Sequence, residues 1–358
     1  MEDYRPSYFK AAAPENSDRS LMNELYRRDV KRWKFWNEKV PPHQPFTAQQ
    51  GLKKNLRIVS WNVNNLCGLS RSVSLAKTGS CIEACEIATV LSDIGADVIV
   101  IQEALVDHGD YDDAMCEAAC YRTLQLDDIL RSEGYVVHRS NHAQPVAIAS
   151  RLPVSAVFSV NLDYDHKFMQ KMSCSPGRLK RDSAGDICTS PNETRPLLFC
   201  EIQIDNLKIG IFGAHFHHTN YNDSSTGIRV LEANVLLSTT SAAKDLDFKI
   251  IAADFNQPLE RYHTEAEWEI VKETRKRLSE PVDDGVDRSL ADGGWRCTWD
   301  IRADRNFPGL TAPPMTHWTA ATVDAFYVPI NDDHRLVGTY VFFTELSDHL
   351  PIIADIEI

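Results

Sequence analysis

The sequence predicts an α/β protein built as a layered sandwich, and three observations predict it. Short β-rich runs recur from residue 55 onward, segments of helical periodicity separate them, and two runs, 197–204 and 208–215, lie close enough to pair as a hairpin. Several runs, as in VIVI and KIIAA, are apolar on both faces, and strands of that kind are usually covered by a layer on each side. With 358 residues, 43% of them hydrophobic, the chain has ample material for a large buried core.

In chain order, strands are expected at 56–63, 97–102, 136–138, 146–150, 197–204, 208–215, 248–254, 323–328 and 352–358, each a run rich in Val, Ile or Phe. Helices are expected at 81–94, 121–132, 228–243 and 265–278, where apolar residues return at a helical interval. Residues 1–50 differ from the rest, with five prolines and nine Lys and Arg against seven Asp and Glu. They are read as an N-terminal extension before a catalytic domain spanning 51–358. Within the extension, LMNELYRRDVKRWKFWNEK reads as a helix that mixes basic residues with Trp33, Phe35 and Trp36. Such a helix either grips a nucleic acid or membrane surface or docks its aromatics on the main domain, and docking is preferred because aromatics are so frequent there. The long polar loop at 162–194 is a substrate-facing element or a solvated insertion.

The chain carries a net charge of −13, so its surface as a whole repels nucleic acid and anionic membranes, and any polyanionic substrate must be held locally. No run of eighteen apolar residues exists, so no stable membrane insertion is expected, and the acidic start does not resemble a signal peptide. Nine cysteines form no CxxC pairs. Cys81, Cys85, Cys116 and Cys120 fall on helical patterns and read first as small buried residues. The sharper alternative bridges the two helices, with Cys174 and Cys188 closing a loop. Asn192 and Asn222 head glycosylation sequons. An intracellular location is preferred, while the cysteine count and the sequons would suit a secreted protein.

Polar residues at the ends of apolar strands are the informative anomaly, because a buried strand has no structural reason to finish in a carboxylate. Asn62 closes RIVSWN, Glu103 closes ADVIVIQE, His215 closes KIGIFGAH, and Asp254 with Asn256 closes FKIIAADFN. Asp324 opens the run DAFYV, and Asp348 with His349 precedes LPIIADIEI. Any one of these alone reads as a cap or turn residue. Together they are what phosphate-ester hydrolysis demands. Glu103, Asn62 and Asp348 supply oxygen ligands for a hard cation, Mg²⁺ with Mn²⁺ as a substitute. Asp254 is the general base or orienting carboxylate for water, steered by Asn256. His215 and His349 donate hydrogen bonds to the pentacoordinate phosphate, and Asp324 orients His349. Asn62, Arg195 and Arg229 are expected to bind substrate. The segment HFHHT invites a zinc reading, but His218 points away from His215 and His217 on a strand, and no Cys or HExxH accompanies them, so zinc ranks behind Mg²⁺.

The ordered series SWNVNNL, ADVIVIQE, PVAIASRLPV, GAHF, AADFNQP, VDAFYV and SDHLPI resembles the endonuclease/exonuclease/phosphatase superfamily, the group with pancreatic deoxyribonuclease-like folds. The resemblance covers most of residues 55–358. It implies two packed mixed sheets flanked by helices, a four-layer sandwich with the site at one edge. It also implies the roles given above for Asn62, Glu103, Asp254, Asn256, Asp324, Asp348 and His349. SWNVNNL is similar to a stretch of exonuclease III-type nucleases, while CTWD at 297–300 and RPLL at 195–198 resemble the tyrosyl-DNA phosphodiesterase 2 branch. No Arg follows Asp324, unlike in the inositol polyphosphate 5-phosphatases. Ala253 stands where a glycine is usual. The deoxyribonuclease-like branch pairs its first histidine with a glutamate before the PVAIASR-type strand. HRSNHAQ stands there instead, so His215 is expected to lack that partner.

The expected activity is therefore Mg²⁺-dependent hydrolysis of phosphodiesters by a monomer, as a nuclease or DNA-end-processing enzyme with nucleic acid as substrate. The alternatives are a phosphatase or phosphodiesterase of inositol, lipid or other small phosphates, and a catalytically silent binding module. Protein partners are not legible.

Overall fold

In the computed structural model the described residues are 29, 31, 33, 55–66, 84–104, 114–140, 145–162, 180–181, 187–188, 195–217, 228–277, 282, 285–304, 315–319 and 321–358. They form two six-stranded sheets and one small ribbon. The first sheet runs, edge to edge, Leu336–Val341 (β13), Ile352–Glu357 (β14), Asn55–Asn62 (β1), Val98–Gln102 (β2), Ala147–Ser150 (β4) and Val136–Arg139 (β3). The second runs Trp295–Cys297 (β11), Asp324–Pro329 (β12), Phe248–Asp254 (β10), Leu207–His215 (β9), Pro196–Ile204 (β8) and Val154–Asn161 (β5). Lys180–Arg181 (β6) and Ile187–Cys188 (β7) make the ribbon. The helices are Ala84–Ile94 (α1), Ala114–Ser132 (α2), Ile228–Ala242 (α3), Glu265–Arg277 (α4), Val286–Asp292 (α5) and Thr298–Asp304 (α6). The sandwich of two mixed sheets flanked by helices is the architecture the sequence predicts.

Alternate residues of the central strands face different partners, which explains why these runs are apolar throughout. Ile58, Val98, Val100, Ile148 and Ala354 join Phe212, Ala214 and Ala252 of the second sheet in one core. Their neighbours Val59, Ile99, Ile101, Ala149 and Ile353 join Ile87 and Leu91 of α1 and Leu126 and Leu130 of α2 in another. The two sheets approach closely at Gly213. A Cβ built there would lie 2.7 Å from Val100 Cγ1 and 3.0 Å from Val146 Cγ1, so only glycine fits beneath the strand end that carries His215.

Each sheet holds one parallel pair, β1 with β2 and β10 with β9, and its other pairings are antiparallel. The predicted hairpin is the β8–β9 pair, turning at Asp205 with φ 53°. Besides the two-residue strands β6 and β7, three strands were not legible: β5, β11 and β13. All three lie at sheet edges, where one side needs no partner and the hydrophobic pattern thins. In β5 most residues are exposed. The seven-residue helices α5 and α6 are too short to show a periodicity.

Of the basic aromatic helix, Asp29, Lys31 and Trp33 are described and are helical. Trp33 is fully buried in the main core, packs against Phe343 and donates its indole N–H to the Met315 carbonyl at 2.8 Å, so docking holds for that residue. The Asp29 carboxylate accepts the Thr274 hydroxyl at 2.9 Å. Cys85, Cys120, Cys200 and Cys297 are free thiols, all but Cys85 buried, so Cys85 and Cys120 do not bridge the helices. The side chains of Cys81, Cys116, Cys174 and Cys188, both sequons and nearly all of the 162–194 loop lie outside the described residues. No helix among the described residues is long and apolar enough to cross a membrane.

One buried ion pair ties three elements together. Arg57 on β1 makes a two-pronged pair with Asp355 on β14, at 2.7 and 2.9 Å, and donates a third bond to the Ile94 carbonyl at the end of α1. Asp355→Ala removes the carboxylate that both prongs of the buried guanidinium engage. It should cost about 3–5 kcal/mol, measured as a lowered midpoint in urea; a midpoint unchanged from wild type would show that the pair does not hold β1 to β14.

Candidate active site

The parallel strands end at one edge of the sandwich, and the antiparallel strands beside them begin there. Ligand sites in α/β sheets form outside the carboxyl ends of parallel strands. Here β1 ends at Asn62, β2 is followed by Glu103, β9 ends at His215 and β10 at Asp254. Across the second sheet, Asp254 lies in register with His215 on one side and Asp324 on the other. His349 enters from the loop before β14 and forms a bridge with His317.

Asp254 is the centre of this group. Its Oδ2 accepts the Asn62 side-chain amide at 3.0 Å, which joins the two sheets, and lies 3.6 Å from His215 Nε2 and 3.7 Å from His349 Nε2. Its Oδ1 accepts the Asn256 backbone N–H at 2.8 Å, and Asn256 also donates to the Phe216 carbonyl at 2.9 Å. Asn256 and Glu103 both hold left-handed backbone, with φ 51° and 52°. Glu103 is an unusual residue for that region, and the strain places its side chain out of line with β2. The Asn65 N–H, donated to the Glu103 carbonyl at 2.7 Å, pins this turn.

The predicted residues all reach this edge, with partners that define them further. Asp324 Oδ2 meets His349 Nδ1 at 2.9 Å. Arg195 donates to His215 Nδ1 at 2.8 Å. His215 thus has a guanidinium where the resemblance would put a carboxylate, and its Nε2 faces Glu103 at 3.5 Å. Asn62 Oδ1 accepts the Asn64 N–H at 3.0 Å. Arg229 is 1% exposed and donates to the Asn256 carbonyl, so that contact supports the Asn256 turn from within. Asp348 takes the Ser347 hydroxyl at 3.2 Å, and the same hydroxyl reaches the Asn62 carbonyl at 2.7 Å.

Four residues escaped the sequence reading. His317 packs against His349 with tilted rings whose centroids are 4.4 Å apart, and its Nε2 is 4.0 Å from Asp348 Oδ2. Thr316 accepts the N–H groups of Val323 and Asp324, at 3.0 and 3.1 Å, and so fixes the start of β12. Glu232 on α3 takes both the backbone N–H and Nδ1 of His217, making a buried pair beside the site. Ser347 is the fourth. The available signal for His317 was its place in THWT, ahead of the strand that Asp324 opens, but a lone histidine in a loop carries no pattern.

Burial and mutual repulsion shape the protonation. Burial first, then the Asp348 charge, raises the Glu103 pKa, opposed by Arg195, His349 and a hydrogen bond from Asn62. Burial raises Asp254 to about 7, with Asp324 adding to it, while His349, Asn62 and Asn256 pull the other way. Burial alone would lower His349, but Asp324, Asp254 and Asp348 outweigh it and carry the ring to about 10. Carboxylates gathered in a confined space are a donor set that fits a hard divalent cation, which prefers oxygen ligands and favours their ionised form.

No protein-family model and no curated protein matches the chain. Solved structures do. An endonuclease/exonuclease/phosphatase protein from Bacteroides vulgatus is similar with a TM-score of 0.52 at 12% identity, over 86% of this chain and 100% of that one. The chain has the deoxyribonuclease-like fold of the endonuclease/exonuclease/phosphatase proteins. An AP endonuclease from Archaeoglobus fulgidus shares that fold, with a TM-score of 0.50 at 16% identity over 85% of this chain and 100% of that one. So does D. rerio TDP2 complexed with single-strand DNA product, with a TM-score of 0.50 at 13% identity over 84% and 98%.

The raised acid and the raised imidazole act in one direction on stability. Without a divalent ion, Asp254 keeps its proton on folding between its ordinary 3.8 and about 7, and His349 keeps its own between 6.5 and about 10. The folded state therefore holds more protons across both windows, and their contribution to stability falls as pH rises. In chelator-treated protein, the melting temperature of wild type minus that of Asp254→Asn should decline from pH 4 to pH 7. Added Mg²⁺ should offset the decline increasingly at higher pH, because it favours the ionised carboxylates. A flat difference would show that Asp254 ionises normally.

Proposed function

We propose that this protein hydrolyses phosphodiester bonds with the help of a divalent cation, Mg²⁺ or Mn²⁺ in its place, and that nucleic acid is its substrate. The observation that carries this reading is the meeting of Asp254 with Asn62, His215 and His349 at the strand ends, within 3.7 Å of one carboxylate oxygen. Glu103 and Asp348, with Asn62, would hold the cation. When bound, it neutralises charge on the phosphoryl oxygens and leaving group.

The chain's own residues divide the remaining work. Asp254, with a pKa near neutral, accepts the proton of the attacking water, and the Asn62 and Asn256 donors fix its orientation. His349 is an imidazolium at neutral pH; Asp324 occupies its Nδ1, so the Nε2–H is the donor offered to the phosphate. His215 receives a hydrogen bond at Nδ1 from Arg195, which fixes its proton on Nε2 as a second donor facing the same space. Arg195 brings positive charge to a chain whose net charge is −13.

The nucleic-acid preference draws on the shared fold of the AP endonuclease and the DNA-bound TDP2. A second reading, a phosphatase of inositol, lipid or other small phosphates, draws on the acidic net charge. Incubation with Mg²⁺ and a panel of plasmid, single-stranded DNA, RNA, a phosphotyrosyl oligonucleotide and inositol phosphates separates the two. Cleavage of a nucleic acid supports the first, and free phosphate from inositides alone replaces it with the second. Asp254→Asn should reduce kcat by about 10²–10⁴-fold while keeping the far-ultraviolet circular dichroism of wild type. Comparable turnover in that variant would remove Asp254 from the mechanism.

A further inference from the structure

We infer that His317, Asp348 and His349 form a chelating site for a borderline transition ion, represented by Zn²⁺, and that its occupation arrests the phosphoesterase site. The three residues each present a ligand atom within 4.8 Å of the others. Both imidazoles are prepared in the manner of metal-binding histidines, whose second nitrogen is held by an oxygen partner. His349 Nδ1 is held by Asp324 at 2.9 Å, and His317 Nδ1 by Thr319, whose hydroxyl lies at 2.7 Å and whose backbone N–H donates to it at 3.5 Å. In each ring this leaves Nε2 toward the carboxylates, His317 facing Asp348 at 4.0 Å and His349 facing Asp254 at 3.7 Å. A second possible group, Asp254 with Asp324 and His349, is poorer, because Asp324 already engages His349 through the opposite nitrogen.

Donor chemistry separates this site from the oxygen set proposed for Mg²⁺. Two imidazole nitrogens and one carboxylate suit Zn²⁺, with a fourth position open, whereas a hard cation prefers the all-oxygen group. Tetrahedral Zn²⁺ needs ligand atoms about 3.4 Å apart, so the three must draw together by about an ångström. His317, at 16% side-chain exposure, is the most exposed of the three. Zn²⁺ would take Asp348 from the Mg²⁺ group and Nε2 of His349 from the phosphate, so binding and turnover become exclusive. The arrest rests on the proposed hydrolytic reading; the binding does not.

Cobalt supplies a readout independent of activity. Co²⁺ titrated into the chelator-treated full chain should give visible d–d bands of a low-coordinate site, displaced by one equivalent of Zn²⁺. His317→Gln should lose the bands, and Thr319→Val, which releases the His317 ring without removing a ligand, should weaken Zn²⁺ binding by about 10–100-fold. On whatever substrate is turned over, Zn²⁺ should abolish the Mg²⁺-supported rate of wild type. The Zn²⁺ concentration for half inhibition should rise at least about tenfold in Thr319→Val, following the weaker binding. Absent bands in wild type, or bands and Zn²⁺ affinity unchanged in both variants, overturn the site. Intact bands with no turnover of any phosphoester leave the metal site standing and sink the hydrolytic reading instead. Intact turnover in the presence of bound Zn²⁺ overturns the arrest.

Discussion

A buried carboxylate, Asp254, is the constraint around which this edge of the sandwich is built. It is fully buried, at the end of a strand whose every other position is apolar or backed by the core. A charge in that place is unfavourable unless it is hydrogen-bonded. Asn62 from the other sheet and Asn256 from the following turn supply those bonds, so the compensation for one acid also fixes the spacing of the two sheets. The rest of the site follows from neighbours in register: His215 and Asp324 flank Asp254 because β9 and β12 flank β10.

The compensation is incomplete by the standards of a structural residue, and that incompleteness carries the chemistry. Asp254 stays at about 7 and His349 rises to about 10, so the two groups sit on opposite sides of their ordinary roles at neutral pH. Both shifts come from one arrangement: Asp324 first and then Asp254 hold the proton on His349, while burial opposes charge on Asp254 itself. The left-handed turns at Glu103 and Asn256 add a second cost at the same edge. Strain of this sort persists only where surrounding bonds over-determine it, as the Asn65–Glu103 and Asn256–Phe216 bonds do here.

Much of this was legible because buried strands tolerate polar residues poorly. Glu103 after VIVIQ and Asp254 after KIIAA stand out against a one-sided rule of burial, and the central strands were found for the same reason. Legibility failed where that contrast fades. Strand β5 is mostly exposed and β11 has three residues, so neither stands out as a buried run. His317, Thr316 and Ser347 lie on loops, where polar residues are ordinary, and only the folded chain brings them to Asp348, Asp324 and the Asn62 carbonyl respectively. The guanidinium on His215 was unreadable in another way: Arg195 opens β8, and its reach to His215 depends on the β8–β9 pairing rather than on any spacing.

Residues 315–319 show how the remote start of the chain bears on this chemistry. Trp33 donates to the Met315 carbonyl, and the next residue, Thr316, holds the first two N–H groups of the segment that Asp324 begins. Thr316 also accepts Leu350 N–H at its carbonyl, and Trp318 N–H reaches the Asp348 carbonyl. One short stretch therefore fixes the carboxylate that orients His349, the loop that carries His349, and the ring packed against it. A fully buried indole at its head removes conformations that this stretch would otherwise sample, and burying a side chain of that size stabilises the ordered form more than a single loop hydrogen bond would. Trp33 thus bears on the site through the backbone it holds at Met315.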